Sequence, residues 1–452
     1  MRNYLFLILF LFLLAGPSCK KFVEVPAPDD RILAEDVFAS DEKALGAMTA
    51  VYGNAINGGL GLLNGLGTVS GGYSADELLK YNALPVEQEF SANSLLPTNA
   101  NVKMLWSTAY QNIYYVNAIL EGIQGAEGLS APVKAQLEGE SRFVRALHYF
   151  YLVNYFGRVP LVTSTDYAAN SLLPRVDTAT IYQQIVTDLL RAKELLPAVY
   201  ATADRNRPNK WAASALLARA YLYQQNWAGA ISESDSVIGS SLYGLQADLA
   251  TVFLKNSREA IWQLSPTSGL LRETSMMRPT GTTTLTPQIH VTQSVLSSFE
   301  AGDRRRQKWV DSVTFQSVRY YYPSKYRNTS SAVTEYYTVL RLAEVYLIRA
   351  EARLRSGNLP GAIQDINAIR SRAGLSGTSA ATESAIAAAI SLERQHEFFA
   401  EFGHRWLDLK RWGTAGPVLA PIKAAWQPTD IYYPIPQDEL LNNSALHQNP
   451  GY

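Results

Sequence analysis

The densest run of side chains suited to acid–base or metal chemistry lies between residues 393 and 408. Beginning at Glu393, it holds His396, Glu397, Glu401, His404 and Asp408. The run does not form the H-E-x-x-H zinc motif, because the residue four after His396 is alanine. Together with Arg394 and Arg405, the acids recur at three- and four-residue spacings, which on a helix gives a ladder of opposite charges. We therefore expect a structural role here, with no catalytic and no metal-binding residue.

Other patterns exclude further classes of function. Arg142, Arg145 and His148 share the same spacing, and we expect them to pair with acids across helices. The glycine-rich stretch 55–72 lacks the G-x-G-x-x-G spacing of a phosphate loop, and the sequence has no serine-nucleophile elbow and no cysteine cluster. The 40 basic and 40 acidic residues cancel, which gives no indication of a nucleic-acid partner. These patterns single out no catalytic residue and no cofactor site, although the many acids leave a glycosidase pair open by count.

The elements that position these residues are predicted to be mainly α-helical. Apolar residues recur every three or four positions in segments that begin near residue 34 and continue at 102–124, 131–155, 178–196, 210–225, 227–238, 340–356, 360–373, 383–402 and 404–412. The region 264–331 is instead rich in Thr, Ser, Pro, Arg and Tyr, with little helical period. It is predicted to form long loops with short strands between helical halves.

Two of the helical pairs form an internal repeat. Residues 218–231 (ARAYLYQQNWAGAI) align with residues 350–363 (AEARLRSGNLPGAI) at one constant offset. The shared small residues let two antiparallel helices approach closely, and the shared Asn and Gly suit the turn between them. This is the pattern of a tetratricopeptide-type helical hairpin, which must stack on a neighbour to bury its apolar face.

The N-terminus predicts export and lipid attachment. Arg2 precedes an apolar run at 4–15, which is too short to span a bilayer but suits a signal peptide. The only cysteine, Cys19, follows in LAGPSC, which resembles a bacterial lipobox. We interpret 1–18 as a lipoprotein signal peptide, Cys19 as the lipidated residue and 19–33 as a tether. An ordinary signal peptide with an incidental cysteine is the alternative.

Long stretches of the chain resemble the SusD/RagB family of Bacteroidota. They are LWSTAYQNIYYVNAIL at 105–120, ESRFVRALHYFYLVNYFGRVPL at 140–161, LRLAEVYLIRAEA at 340–352, DINAIRSRAGL at 365–375, ERQHEFFAEFGHRWLDLKRWG at 393–413, and the end of the chain from Tyr433 to Tyr452. One departure is Phe402, where the family more often has glycine. The stretches occur in the expected order and run nearly end to end.

The resemblance implies both the fold and the role of the protein. Residues 34–452 are expected to form one SusD-like domain, a tetratricopeptide-like α-α superhelix with an irregular, loop-rich face. The scaffold would occupy about 34–54, 102–260 and 335–452, and the variable segments 55–101 and 264–331. Family members are non-enzymatic lipoproteins on the outside of the outer membrane. They capture a nutrient, usually a glycan, and deliver it to a SusC-like TonB-dependent transporter.

Candidate ligand-binding residues follow from the chemistry of glycans. Flat aromatic faces stack on sugars and polar side chains bind the hydroxyl groups, and loops are the expected carriers. Tyr326 and the aromatics of the helical landmarks (Trp106, Tyr110, Tyr151, Tyr221 and Trp406) are expected to be structural. The remaining candidates are Tyr73, Asp76, Tyr81, Asn82, Arg278, Trp309, Tyr320 and Tyr321, with Gln88, Arg272 and Gln288 as further polar partners.

Two alternatives remain open at this point. In the first alternative, the fold and the location are the same, but the ligand is a peptide or another non-glycan nutrient. In the other alternative, the chain is a helical-repeat scaffold that binds a protein partner and carries no small ligand.

Overall fold

The computed structural model describes residues 34–281 and 284–452. The signal peptide, the tether and Cys19 lie outside these residues. The helices are α1 Ala34–Val37, α2 Asp41–Asn57, α3 Leu66–Ser74, α4 Pro85–Ala92, α5 Ala100–Gly122, α6 Ala131–Phe156, α7 Tyr167–Asn170, α8 Thr178–Leu195, α9 Lys210–Tyr223, α10 Trp227–Ile238, α11 Arg272–Met277, α12 Gln293–Ser298, α13 Arg304–Trp309, α14 Leu342–Arg355, α15 Leu359–Arg372, α16 Glu383–Phe398, α17 His404–Arg411, α18 Ala415–Leu419 and α19 Gln437–Asn442. The mainly helical fold class is confirmed.

The strands form short antiparallel pairs. They are β1 Leu78–Lys80, β2 Val159–Pro160, β3 Arg175–Val176, β4 Ala260–Leu264, β5 Ile289–Val291, β6 Val310–Phe315, β7 Val318–Pro323 and β8 Tyr337–Arg341. β1 pairs with β5, β2 with β3, β4 with β8, and β6 with β7. Three of these strands, β5 to β7, lie in the loop-rich region that the sequence predicted to carry short strands.

The predicted repeat is present as two helical hairpins, α9–α10 and α14–α15. Each second helix begins at the shared asparagine, whose side chain accepts a hydrogen bond from the backbone of the shared glycine: Asn226 from Gly229 at 3.0 Å and Asn358 from Gly361 at 2.9 Å. A Cβ on either glycine would lie within 3.0 Å of that asparagine, which explains the Asn-x-x-Gly spacing. Ala218 and Leu222 of the first hairpin pack with Ile348 and Ala352 of the second, so the two hairpins stack.

The scaffold is a continuous series of packed helices. α5 packs on α6, α6 on α8, α8 on α9, and α9 on α10, which contacts α14. One large buried cluster runs from Ala44 to Leu446 and includes side chains from both ends of the described chain. No helix among the described residues is both long enough and apolar enough to cross a bilayer.

The glycine-rich segment differs from expectation. We placed 55–101 among the loop-rich segments, yet it contains α3 and α4, and every residue of α3 is buried. α3 packs against α17 at a point where a Cβ on Gly71 would lie 2.4 Å from Cα of Gly403. Glycine is therefore required by the close approach of two backbones, which leaves no helical period in the sequence to detect.

The charged run at 393–408 is structural, but it is not a ladder along one helix. The helix predicted over 383–402 ends at Phe398, and Ala400, Phe402 and Gly403 all have positive φ before α17 begins. The side chains therefore pair with other elements. Arg394 donates to Asp408 at 2.7 Å across the break, and Arg405 donates to Asp76 at 2.8 and 3.0 Å.

Glu397 and Glu401 belong to a larger set that we call the ionic network. Its members are Glu259, Asp303, Arg305, Lys325, Arg341, Arg372, Glu393, Glu397 and Glu401, all buried. Arg341 donates to Glu397 at 2.5 Å and to Glu401 at 2.8 Å, while Arg305 reaches Glu393 at 2.8 Å. Burial alone would raise the pKa of Glu397, but Arg372, Arg341 and Arg305 together lower that pKa well below its usual value.

The second predicted set of ion pairs is confirmed for its arginines only. Arg142 and Arg145 of α6 both donate to Asp188 of α8, at 3.0 Å and at 2.7 and 2.8 Å. Among the residues that the structure describes, His148 pairs with no acid, contrary to prediction. Its Nδ1 lies 2.8 Å from the carbonyl oxygen of Val144, and burial lowers the pKa of His148 to about 4.

Candidate functional site

Three of the candidate ligand-binding residues are inside the protein. Tyr73 is 2% exposed and Trp309 is 1% exposed, and the Trp309 indole donates to the carbonyl oxygen of Leu249 at 3.0 Å. Asp76 is buried and accepts from two of the three guanidinium nitrogens of Arg405. Burial of these three side chains argues against contact with a ligand at the surface, and their role in binding stays a prediction.

Tyr321 is also unsuited to stacking on a ligand, although it is only half-buried. The guanidinium carbons of Arg306 and Arg319 lie 4.6 and 5.3 Å from its ring centroid. Such cation–π contacts occupy the aromatic faces that a sugar would need.

The aromatics expected to be structural are mostly in the core. Trp106, Tyr151, Tyr326 and Trp406 are buried, and the Tyr326 hydroxyl accepts from the backbone of Thr338 at 3.0 Å. Tyr110 and Tyr221 are partly buried and pack against the core.

The remaining aromatic candidates, Tyr81 and Tyr320, meet at the surface. Their ring centroids are 5.5 Å apart at an interplanar angle of 78°. Phe315 packs on Tyr81 at 5.6 Å and His290 packs on Tyr320 at 5.4 Å, both edge to face. We call these four side chains, Tyr81, His290, Phe315 and Tyr320, the aromatic platform. All four are partly exposed, and edge-to-face packing fixes each ring while leaving part of it open.

The short strands position the platform. β1 pairs with β5, which sets Leu79 opposite His290, and the backbone N–H of Tyr81 extends the ladder by donating to Gln288 at 2.8 Å. In the β6–β7 hairpin, Val313 faces Tyr320 and Phe315 faces Val318, so Phe315 and Tyr320 share one side. Lys80 binds Glu87 at 2.6 Å and so joins β1 to α4.

The turn of this hairpin explains the register. Gln316 and Ser317 both have positive φ, +48° and +65°, as in the two-residue turns that match the twist of antiparallel strands. Because side chains alternate between the two sides of a strand, Tyr321 points away from the side that carries Tyr320. Neighbouring tyrosines are thereby assigned to different environments.

Sequence reasoning missed two members of the platform, His290 and Phe315. The signal for Phe315 was the alternation of residues in 310–323, which carries the period of a hairpin. Burial lowers the pKa of His290, which favours the neutral ring. Its Nδ1 is buried and makes no hydrogen bond with the described residues.

The other polar candidates lie in the segments that lead into and out of the platform strands. Asn82 follows Tyr81 directly, is exposed and has a φ of +50°. Gln288 donates to Thr280 at 3.0 Å, and Gln88 donates to the carbonyl oxygen of Ala83 at 2.7 Å. Their side-chain amides are thus partly committed to loop structure.

The two candidate arginines lie elsewhere on this side of the molecule. Arg278 is close enough to Tyr322 and Glu335 for its charge to oppose the burial that raises the pKa of both groups. Arg272 contacts the loop around Gly65 and is exposed.

Two carboxyl groups, one of them directly before the strand that leads to Tyr81, are buried without full compensation. Burial, helped by the charge of Asp76, raises the pKa of Glu77 to about 8, and Glu77 directly precedes β1. Burial likewise raises the pKa of Glu273 to about 7, although Thr68 and Tyr337 both donate hydrogen bonds to it. At neutral pH these groups hold their protons for part of the time or all of it.

The arrangement suits binding by stacking and hydrogen bonding. Partly exposed rings at fixed angles, with amide side chains beside them, are the features that orient a sugar ring. Within residues 34–281 and 284–452, no group of three or more His, Cys, Asp or Glu side chains is placed to hold a metal ion.

Comparisons with known proteins agree with this fold along nearly the whole chain. A family model described as starch-binding and associating with the outer membrane matches residues 73–222, and the SusD family model matches residues 304–427. SusD-like protein P25 of Formosa agariphila is 26% identical, over 99% of this chain and 98% of that protein. SusD-like protein P2 of the same organism is also 26% identical, over 78% of this chain and 81% of that protein.

Solved structures share the same architecture. A SusD superfamily protein from Bacteroides vulgatus superposes with a TM-score of 0.81 at 22% identity, covering 92% of this chain and all of that one. A laminarin-binding SusD-like protein gives a TM-score of 0.77 at 25% identity, over 91% of this chain and all of that one. The two family models match more than half of the chain and the relatives span it, so the chain belongs to the SusD family of outer-membrane-associated, carbohydrate-binding proteins.

Proposed function

We propose that the protein captures a glycan at the cell surface and passes it to a SusC-like TonB-dependent transporter, without acting as an enzyme. The observation that carries the proposal is the aromatic platform, where Tyr81 and Tyr320 meet at 5.5 Å and remain partly exposed. Membership of a carbohydrate-binding family and the likeness to a laminarin-binding protein support it.

The platform suits a glycan because its rings are held before ligand arrives. β1–β5 pairing, the β6–β7 turn and three edge-to-face contacts fix the ring planes. Binding then costs little side-chain entropy, which is the usual obstacle to recognition on an exposed surface. Asn82, which is exposed and directly follows Tyr81, supplies polar atoms for hydroxyl groups at its edge.

The platform is tested by comparing two adjacent tyrosines. Tyr320→Ala should weaken retention in native gels that contain laminarin or starch by about tenfold or more, since tenfold corresponds to about 1.4 kcal/mol. Tyr321→Ala is the matched control, because it changes the same strand on its other side and should leave retention unchanged. Equal retention of both variants and the wild type would remove the platform as the binding site.

Failure of the wild-type protein on every glycan tested, together with co-purification with a barrel transporter, would favour a peptide or another non-glycan nutrient. Failure on both counts would favour the protein scaffold without a small ligand.

The proposed location rests on Cys19, which would be lipidated after removal of residues 1–18. Residues 19–33 would then tether the folded body to the outer membrane, facing outward. Cys19→Ser should abolish incorporation of labelled palmitate and release the protein from the outer-membrane fraction. Unchanged labelling would show that the cysteine is not the attachment site.

A further inference from the structure

A groove on the helical scaffold shares no residue with the aromatic platform. It lies between α5, the segment around α7 and α19, and it encloses a cavity of about 650 Å³. Cavities of roughly 300–1,000 Å³ are typical of small-molecule sites. None of the four platform side chains lines this groove.

Tyr167, the first residue of α7, forms one wall of the groove and is 84% exposed. The backbone that carries it is nevertheless firmly held. Asp166 caps α7 by accepting from the backbone of Ala169 at 3.1 Å, and Asn170 donates to the carbonyl oxygen of Ser164 at 2.8 Å. The backbone of Thr165 donates to Glu121 of α5 at 2.8 Å. A large ring is therefore held in solvent on a fixed segment.

The other walls supply polar side chains. Asn443, at the end of α19, donates to the carbonyl oxygen of Leu173 at 3.0 Å, which ties that helix to the α7 segment. Asn442 of α19 is exposed, and Ser107 and Gln111 lie on the exposed side of α5. Among the described residues, the side chains of Ser107 and Asn442 have no hydrogen-bond partner.

Glu439 adds a carboxyl group beside two buried or partly buried rings. Burial raises the pKa of Glu439, and the indole N–H of Trp106 interacts with its carboxylate. Tyr110, the third aromatic of the groove, uses its hydroxyl to donate to the carbonyl oxygen of Pro160 at 2.8 Å. The groove thus combines aromatic surface with amide, hydroxyl and carboxyl groups.

We propose that this groove is a second carbohydrate-binding site, which holds a short stretch of the same polysaccharide chain that the platform captures. The proposal rests on the proposed glycan-binding function. The many amide and hydroxyl groups favour a polyhydroxylated ligand over a protein partner, since the cores of protein interfaces are more apolar. Two sites on one polymer raise the retention of long chains through effective concentration.

The test compares Tyr167→Ala with Tyr114→Ala. Tyr114 is an exposed tyrosine of α5 that does not line the groove. In native gels with laminarin or starch, Tyr167→Ala should lower retention at least threefold, and Tyr114→Ala should not. In calorimetric titrations with laminarihexaose and maltoheptaose, Tyr320→Ala should keep a residual weak site that the double variant Tyr320→Ala/Tyr167→Ala loses.

The outcomes separate the two proposals. Wild-type retention by Tyr167→Ala, with loss in Tyr320→Ala, overturns the second site and leaves the platform in place. Unchanged glycan binding by Tyr167→Ala, with weaker co-purification of the transporter, overturns it in favour of a protein contact. No binding of either glycan by the wild-type protein, in gels or by calorimetry, overturns this inference along with the glycan function.

Discussion

The ionic network and the segment directly before β1, which contains Glu77, bury carboxyl groups in opposite ways. In the network, Glu397 is surrounded by three guanidinium groups that hold its pKa well below the usual value. Directly before β1, the positive charges of Arg405 and Lys325 do not offset the burial of Glu77, and its pKa rises to about 8. One region is held together by paired charges, whereas the other buries a carboxyl that keeps its proton at neutral pH. The protein therefore buries paired charges in one region and, in the other, a carboxyl group whose charge depends on pH near neutrality.

The largest effect is expected from breaking the network. Glu397→Ala leaves Arg305, Arg341 and Arg372 buried with fewer counter-charges and should lower the free energy of unfolding by about 3–5 kcal/mol. Urea denaturation of the folded chain measures it. Arg355→Ala, which removes an exposed ion pair with Glu383, should change stability by no more than about 0.5 kcal/mol. Similar losses in both variants would contradict the distinction.

A second comparison uses two tyrosines that the sequence presented as equivalent candidates. Tyr73→Ala removes a buried side chain and should cost about 3 kcal/mol of stability. Tyr81→Ala should cost less than about 1 kcal/mol but should weaken glycan retention. Thermal melting and affinity gels measure the two properties in parallel. A stable Tyr73→Ala variant with lost retention would return Tyr73 to the binding site.

The smallest effect concerns the pH dependence of stability. A carboxyl whose pKa is higher in the folded state binds more protons there, so stability falls as pH rises from about 4.5 to about 8. Glu77→Gln removes this decline and should stabilise the protein at pH 8 by roughly 1–3 kcal/mol relative to wild type.

At pH 4.5, where Glu77 is already protonated in the wild type, the same substitution should have little effect. The buried histidines act in the opposite direction, because the pKa of His148 and of His396 is lowered to about 4. Taking the difference between variant and wild type at each pH cancels that contribution. A constant difference from pH 4.5 to pH 8 would show that Glu77 is ionised in the fold.

The scaffold could be predicted from the sequence because its signals are local. The Asn-x-x-Gly repeat predicted both hairpins. In each, the asparagine caps the second helix by accepting from the backbone of the glycine three residues later. The break after Phe398 could not be predicted, because left-handed Ala400 and Phe402 are held by tertiary contacts, including the hydrogen bond from the backbone of Phe402 to Thr68 at 2.9 Å.

The site was only partly predictable for a similar reason. Residue type correctly indicated aromatic stacking, but burial separated Tyr73 and Trp309 from Tyr81 and Tyr320. Tyr320 and Tyr321 are adjacent in sequence, and only strand pairing shows which one faces the platform. His290 joins the platform through β1–β5 pairing between residues more than 200 positions apart.

The contact of Gly71 with Gly403 limits which substitutions the chain can accept. A single methyl group at position 71 would lie 2.4 Å from the opposing Cα, so α3 and α17 would have to separate. Because α3 leads directly to β1, and Tyr81 follows β1, such a separation would also shift the platform rings. When loops are exchanged between relatives to change ligand preference, glycine must be kept at both positions. Otherwise the exchanged platform residues would shift relative to α3 and α17.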